Sequence, residues 1–220
     1  MEHHSFISFK GLNYSEKQVL NKSSDFYKFM DKRRSLRMFS DKPVDRKAIE
    51  NIIMAASSAP SGAHKQPWFF SVVSNPEIKK RIKTAAEKEE YENYTGRMSD
   101  TWLEDLKKFD TDFKKPFLEI APWLIVVFKK PYDIIDGEKK QNYYVNESVG
   151  IAVGFLLAAI QHAGLVALTH TPSPMNFLEK LLKRPPNERA YLLIPVGYPP
   201  DDALIPEIER KKLKEVSEFL

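Results

Sequence analysis

Apolar positions along the chain change period several times, and each change marks an element. From Pro43 a helix is predicted with Asp45 as its N-cap, because Ala48, Ile49, Ile52, Ile53 and Ala56 recur at the spacing of one helical face. It ends in Ser57 to Gly62, a run of small turn-forming residues. Trp68 to Val73 reads as a strand. Asn75-Pro76-Glu77 then opens a helix with a cap, a proline in the first position and an acid in the first turn, and Ile78, Ile82 and Ala85 give it an apolar side. Trp123 to Phe128 is an unbroken apolar run, the pattern of a strand buried on both faces. Val145 to Ala163 predicts a long helix, apolar nearly all round, that stops at Gly164. Such a helix must be enclosed, either centrally in one domain or between subunits. A strand over Leu165 to Thr169, a short helix over Asn176 to Lys183 and a strand over Tyr191 to Val196 follow.

Other stretches lack a clean period. The first twenty residues are expected to fray or wrap over another surface, until Ser23 or Ser24 caps a helix carrying Phe26, Tyr27, Phe29 and Met30. Tyr132 to Asn142, with Asp136-Gly137, reads as a surface loop. From Glu87 to Lys115 charge and aromatics dominate, which fits an exposed helix pair or a cover over a site. Strands and helices alternate without tandem hairpin signals, so the expected class is α+β, with a mixed central sheet flanked by helices.

Composition narrows the chemistry. At 220 residues and 42% hydrophobic, one sizeable core and one domain are expected. Lys and Arg number 34 against 30 acids, a mixed surface that disfavours a nucleic-acid binder. With no cysteine, disulfides, thiolate metal sites and a cysteine nucleophile are excluded. His3, His4, His64, His162 and His170 show no ligand spacing, so no metal site is expected. The N-terminus lacks a signal-peptide pattern. The longest apolar run, Val149 to Ile160, falls short of the about twenty residues a membrane span needs. A soluble, cytoplasmic protein without a membrane anchor is expected.

The densest chemistry is in Lys32-Arg33-Arg34-Ser35-Leu36-Arg37. Arginine forks match the oxygens of a phosphate monoester, and a serine hydroxyl sits among them. No GxGxxG fingerprint accompanies them, which argues against a dinucleotide fold. Glu90 and Tyr94, four apart, share a helix face. In Thr169-His170-Thr171-Pro172, the proline holds Thr171 in extended geometry.

The stretches RRSLRMFS, APSGAHKQPW, EKEEYENYTGRM, THTPSPMN and LIPVGYP, in this order, resemble the nitroreductase-like FMN enzymes and, more narrowly, the iodotyrosine deiodinase family. The likeness spans Asp25 to Leu213. It implies a nitroreductase-like fold in an intertwined homodimer with FMN at the interface. The domain plan it implies is an N-terminal extension over 1–22 and one FMN-binding domain over 23–220, with 87–115 as an active-site lid.

By the same resemblance Arg33, Arg34, Ser35, Arg37 and Arg210 hold the phosphate and pyrimidine side of FMN. Ser61 and Gly62 approach the flavin by backbone, and Thr169, His170 and Thr171 complete the cofactor site. The Thr171 hydroxyl points at flavin N5, where a donor favours one-electron steps over hydride transfer. Glu90 meets the substrate ammonium, Tyr94 its neighbourhood and Lys115 the carboxylate, while the backbone N–H of Ala63 faces the phenolate. Thr171 and Ala63 are thus the catalytic groups. The activity implied is reductive dehalogenation of halotyrosines (3-iodotyrosine, 3,5-diiodotyrosine, and bromo- and chlorotyrosine) to tyrosine and halide, with NAD(P)H or a reductase as electron donor. The competing readings are a general nitro- or quinone-reducing flavoenzyme of the same fold, and a flavin- or tyrosine-binding protein without turnover.

Overall fold

The structure, a computed structural model, describes residues 5–220; His3 and His4 lie outside them. The chain divides into two units with a boundary between Arg33 and Arg34.

Among the described residues the first unit carries one helix, α1 (Glu16–Asp31). It begins upstream of the expected caps because Ser15 and Gln18 form a capping box: the Gln18 N–H donates to Ser15 Oγ, and the Ser15 N–H to Gln18 Oε1 at 3.0 Å. Ser23 lies inside the helix and spends its hydroxyl on Leu20 O. No residue of α1 is buried, and Phe6, Ile7 and Phe9 before it are almost fully exposed.

The second unit holds the sheet. Helix α2 (Arg46–Ser57) is capped by Asp45, whose carboxylate accepts from Lys47 N–H. Strand β1 (Trp68–Val73) follows, then α3 (Pro76–Glu92), capped by Asn75. One π-helical turn, Asn93–Arg97, prolongs α3. The chain continues with α4 (Asp100–Lys107), α5 (Phe117–Ile120) and β2 (Trp123–Lys129). Where a loop was expected over Tyr132 to Asn142, β3 (Tyr132–Ile135) and β4 (Glu138–Gln141) form a hairpin. Asp136 and Gly137 both have positive φ at its tip, the signature of a type I′ turn. The last elements are α6 (Val145–His162), β5 (Val166–Ala167), α7 (Asn176–Leu181) and β6 (Arg189–Gly197).

The main sheet runs β1-β2-β6-β5 and every ladder is antiparallel; a parallel bridge joins Ser35 to Ala167 beside it. The strand expected over Leu165 to Thr169 is shorter in the ladder, and His170 rejoins β6 by a bridge to Leu193. The doubly buried reading of β2 holds. Ile125 and Val127 face a core shared with α2 and α6, while Leu124, Val126 and Phe128 face a second core with α3, α5 and α7. Burying that strand outright contributes about 1.5–3 kcal/mol per large side chain.

Helix α6 is long and apolar enough to cross a membrane by length and composition. Val149, Ala152, Val153, Leu156 and Ile160 instead pack into the first core, while Ile151 and Phe155 stay exposed beside Gly150 and Gly154. Gly164 ends the helix at φ +73, the left-handed C′ conformation. At the end of β6, a Cβ on Gly197 would stand 2.6 Å from Pro122 Cδ, so the β2 and β6 ends close only over a glycine.

Candidate active site

The segment Arg34 to Phe39 alternates its sides. Leu36 and Phe39 are buried, Ser35 is exposed and Arg37 is half-buried. Leu36 N–H donates to Ala167 O, which fixes the segment on the β5 end of the sheet. Arg34 Nη2 donates to Pro206 O at 2.5 Å, and Leu204 N–H reaches Met38 Sδ, so the C-terminal segment lies over these residues. Ser35, Arg37 and Met38 then line a cavity of about 680 Å³ with Phe109 to Asp112 and Phe117. Burial lowers the pKa of the Arg37 guanidinium, whose plane packs 5.0 Å from the Phe109 ring centre. Arg33, the last residue of the first unit, is half-buried, and Arg210 is exposed.

Behind the cavity wall lies a cluster of buried polar groups. Glu90 sits near the end of α3 and Lys115 just before α5. Lys115 Nζ stands 3.6 Å from Glu90 Oε2, with both side chains almost wholly buried. Lys115 Nζ also donates to Thr111 Oγ1 at 3.3 Å and to Asp112 O, both of which line the cavity. Its backbone N–H donates to Glu87 Oε1 at 2.7 Å. The Tyr94 hydroxyl donates to Thr111 O at 3.2 Å, and its ring centre is 5.3 Å from Lys115 Nζ. Tyr94 falls in the π turn rather than in α3, yet the wider turn keeps it on the side of Glu90. Burial raises the pKa of Glu90, opposed by Lys115, and lowers that of Lys115, opposed by Glu90. Burial and the Glu90 charge raise the Tyr94 phenol.

Pairing to Leu193 takes both backbone groups of His170, and Thr169 and Thr171 are exposed on either side of it. The imidazole therefore turns inward. Its Nε2 is 3.8 Å from Glu90 Oε1, and its ring meets Phe117 edge-on at 5.7 Å. Two features here were missed at the sequence level: this inward imidazole, and Asn93, whose Nδ2 donates to Ser173 O at 2.9 Å. Asn93 stands three residues after Glu90 on the same helix side, a spacing that was legible.

The second small-residue stretch is held elsewhere. Gly62 N–H donates to Ser148 Oγ at 3.4 Å, and Gln66 N–H to Ser61 Oγ at 2.9 Å. A Cβ on Gly62 would stand 2.9 Å from Tyr144 Cδ2, so close approach to Tyr143 and Tyr144 already requires this glycine. Ala63, His64 and Gln66 all have φ near +50, and such strain persists where a site needs it. The N–H groups of Gly62, His64, Lys65 and Gln66 each have an acceptor; that of Ala63 has none among the described residues. Within one chain the described residues thus form two groups without a mutual hydrogen bond: Ser61–Ala63 against Tyr143, Tyr144 and Ser148, and Arg34–Arg37 with Glu90, Lys115 and His170. Among the described residues no cluster of acids and histidines could hold a metal.

Residues 30–198 match the model of the nitroreductase family. The iodotyrosine deiodinase of Haliscomenobacter hydrossis is 62% identical over 208 residues, covering 94% of each chain. Human iodotyrosine deiodinase 1 is 44% identical, over 96% of this chain and 73% of its own. A crystal structure of oxidized iodotyrosine deiodinase bound to FMN and 3-iodo-L-tyrosine superposes with a TM-score of 0.78 at 30% identity, covering 88% of this chain and 100% of that one. The FMN-bound nitroreductase of Bacteroides fragilis, at 18% identity and a TM-score of 0.67, shares the fold. The chain belongs to the nitroreductase family and, within it, to the iodotyrosine deiodinase family.

Proposed function

We propose that the chain is an FMN-dependent reductive dehalogenase that converts halotyrosines to tyrosine and halide. The observation that carries this is the Glu90–Lys115 pair: a buried anion and cation 3.6 Å apart, with Lys115 bonded to Thr111 and Asp112 of the cavity that Ser35 and Arg37 line. A zwitterionic amino acid offers the complementary pair, its ammonium to Glu90 and its carboxylate to Lys115. Exchanging one ion pair for two charge-assisted contacts offsets the desolvation that both groups already bear.

The residues fit FMN. Arg34 and Arg37 supply cations for the phosphate side, Ser35 a hydroxyl, and Ala63 an uncommitted N–H. Bound FMN, once reduced by the electron donor, would supply the two electrons. The net change is one carbon–halogen bond broken and one carbon–hydrogen bond formed, consuming two electrons and one proton and releasing halide. The Ala63 N–H would donate to the substrate phenolate oxygen, and the hydroxyl of Thr171, an exposed residue, to flavin N5. Residues 87–115 act as a lid whose closure excludes water.

The working form is a homodimer with FMN between the subunits. The exposed Ile151 and Phe155 of α6 and the unburied α1 support this. Residues 1–22 form the extension and 23–220 the FMN-binding domain. The enzyme works in the cytoplasm and takes electrons from NAD(P)H or a reductase. Mass spectrometry of the released cofactor together with an iodide-release assay on 3-iodotyrosine tests the proposal. FMN and stoichiometric iodide are expected; FAD, or nitroaromatic reduction without iodide release, would overturn it.

A further inference from the structure

His170 is more than nine-tenths buried, and its Nε2 has no hydrogen-bond partner among the described residues. Native interiors rarely leave such an atom orphaned, and each exception calls for an explanation. Its surroundings are chemically specific. Glu90 Oε1 is 3.8 Å away, Phe117 covers one edge, and Lys115 and Arg37 present positive charge. At 3.8 Å the imidazole and the carboxylate do not hydrogen-bond each other.

We propose that His170 is a specificity-determining residue for the α-ammonium group of the substrate, sharing it with Glu90 as a second acceptor. The inference rests on the assignment of Glu90 to that ammonium. Two acceptors 3.8 Å apart are within the span of one ammonium nitrogen, whose hydrogen bonds are each about 2.9 Å long. An ammonium has three N–H donors, and the Glu90 carboxylate alone leaves donors to be satisfied. Lys115 Nζ, itself an ammonium, stands 3.6 Å from Glu90 Oε2. When the substrate ammonium takes that place, Lys115 turns to the substrate carboxylate, and Nε2 gains the partner it lacks. The acceptor role needs a neutral ring. Burial, with Lys115 and Arg37 nearby, lowers the His170 pKa to about 3, so the ring is neutral throughout the physiological range, and with its single ring proton on Nδ1 the Nε2 atom accepts.

The test is calorimetric titration of the oxidised, FMN-loaded enzyme with 3-iodotyrosine and with its des-amino analogue, 3-(4-hydroxy-3-iodophenyl)propanoate. His170→Phe and His170→Asn both remove the acceptor at the Nε2 position, whereas His170→Gln places an amide oxygen there. The Phe and Asn variants should bind 3-iodotyrosine about tenfold more weakly, the loss of one hydrogen bond to a charged group, and the analogue within about twofold of wild type. The Gln variant should recover most of the loss. Equal weakening of both ligands, or of neither, in whichever of the Phe and Asn variants folds would overturn the proposal. Glu90→Gln separates the premises. If it too weakens both ligands equally, the assignment of Glu90 has failed; if it discriminates and the His170 variants do not, the His170 role alone has failed.

Discussion

Glu90 and Lys115 confront each other at 3.6 Å with side chains only 7% and 5% exposed. The distance is long for a buried ion pair, and burial works against both charges, raising the Glu90 pKa and lowering that of Lys115. Such a pair stabilises a fold weakly, because desolvation consumes most of the Coulombic gain. It is better matched to exchange, as the proposed binding of a zwitterion to the two residues requires.

Replacing Lys115 with Gln should weaken binding of 3-iodotyrosine and leave FMN content unchanged. Losing one partner of a desolvated charge pair costs about 2–5 kcal/mol. Quenching of flavin fluorescence by titrated 3-iodotyrosine measures it. An unchanged titration would refute the assignment of Lys115 to the carboxylate.

Gly62→Ala should destabilise the protein even without cofactor. The new Cβ would meet Tyr144 Cδ2 at 2.9 Å and the Tyr143 carbonyl oxygen at 3.1 Å. Overpacking of this kind costs about 1–3 kcal/mol. Urea unfolding of the apoprotein reads it directly. A variant as stable as wild type would show that this loop yields, and that the glycine answers only to a ligand.

The buried imidazole of His170 gives stability a pH dependence of known sign. Its folded-state pKa of about 3 lies below the ordinary 6.5, so the unfolded chain binds the extra proton first as pH falls. The contribution is fully present above pH 6.5 and is lost progressively toward pH 3, at most about 1.4 kcal/mol per pH unit. Comparing urea midpoints of wild type and His170→Gln at pH 7 and pH 5 isolates it from the carboxylates. The wild type should lose more stability than the variant between those two values. Parallel losses would mean that the ring is protonated without penalty.

Thr171→Ala should retain FMN and 3-iodotyrosine binding but release iodide more slowly, while keeping or gaining hydride-type reduction of nitroaromatics. The lost hydrogen bond is worth roughly 1 kcal/mol net, or more where its partner carries charge. The ratio of the two activities is the measurement. An unchanged ratio would remove the role given to this hydroxyl.

Local pattern was enough to determine much of this protein. The period of Ala48 to Ala56, the cap and proline at Asn75-Pro76 and the unbroken run of β2 each encode an element, because periodicity records which faces meet a core. The residue types at Arg34, Glu90, Lys115 and Thr171, in order, carried the family and its chemistry before any coordinates.

Other features were decided only in three dimensions. The β3–β4 hairpin escaped because its strands are short and mostly exposed, so no buried face imposed a period on them. The start of α1 rests on one side-chain pair, Ser15 and Gln18, competing against other serines. The inward turn of His170 follows from a single bridge to Leu193, a partner distant in sequence. The crowding of Gly62 by Tyr143 and Tyr144 is likewise a long-range fact. Sequence spacing measures neighbours along a helix or strand; which segments close upon one another is set by the packing of both faces of the sheet.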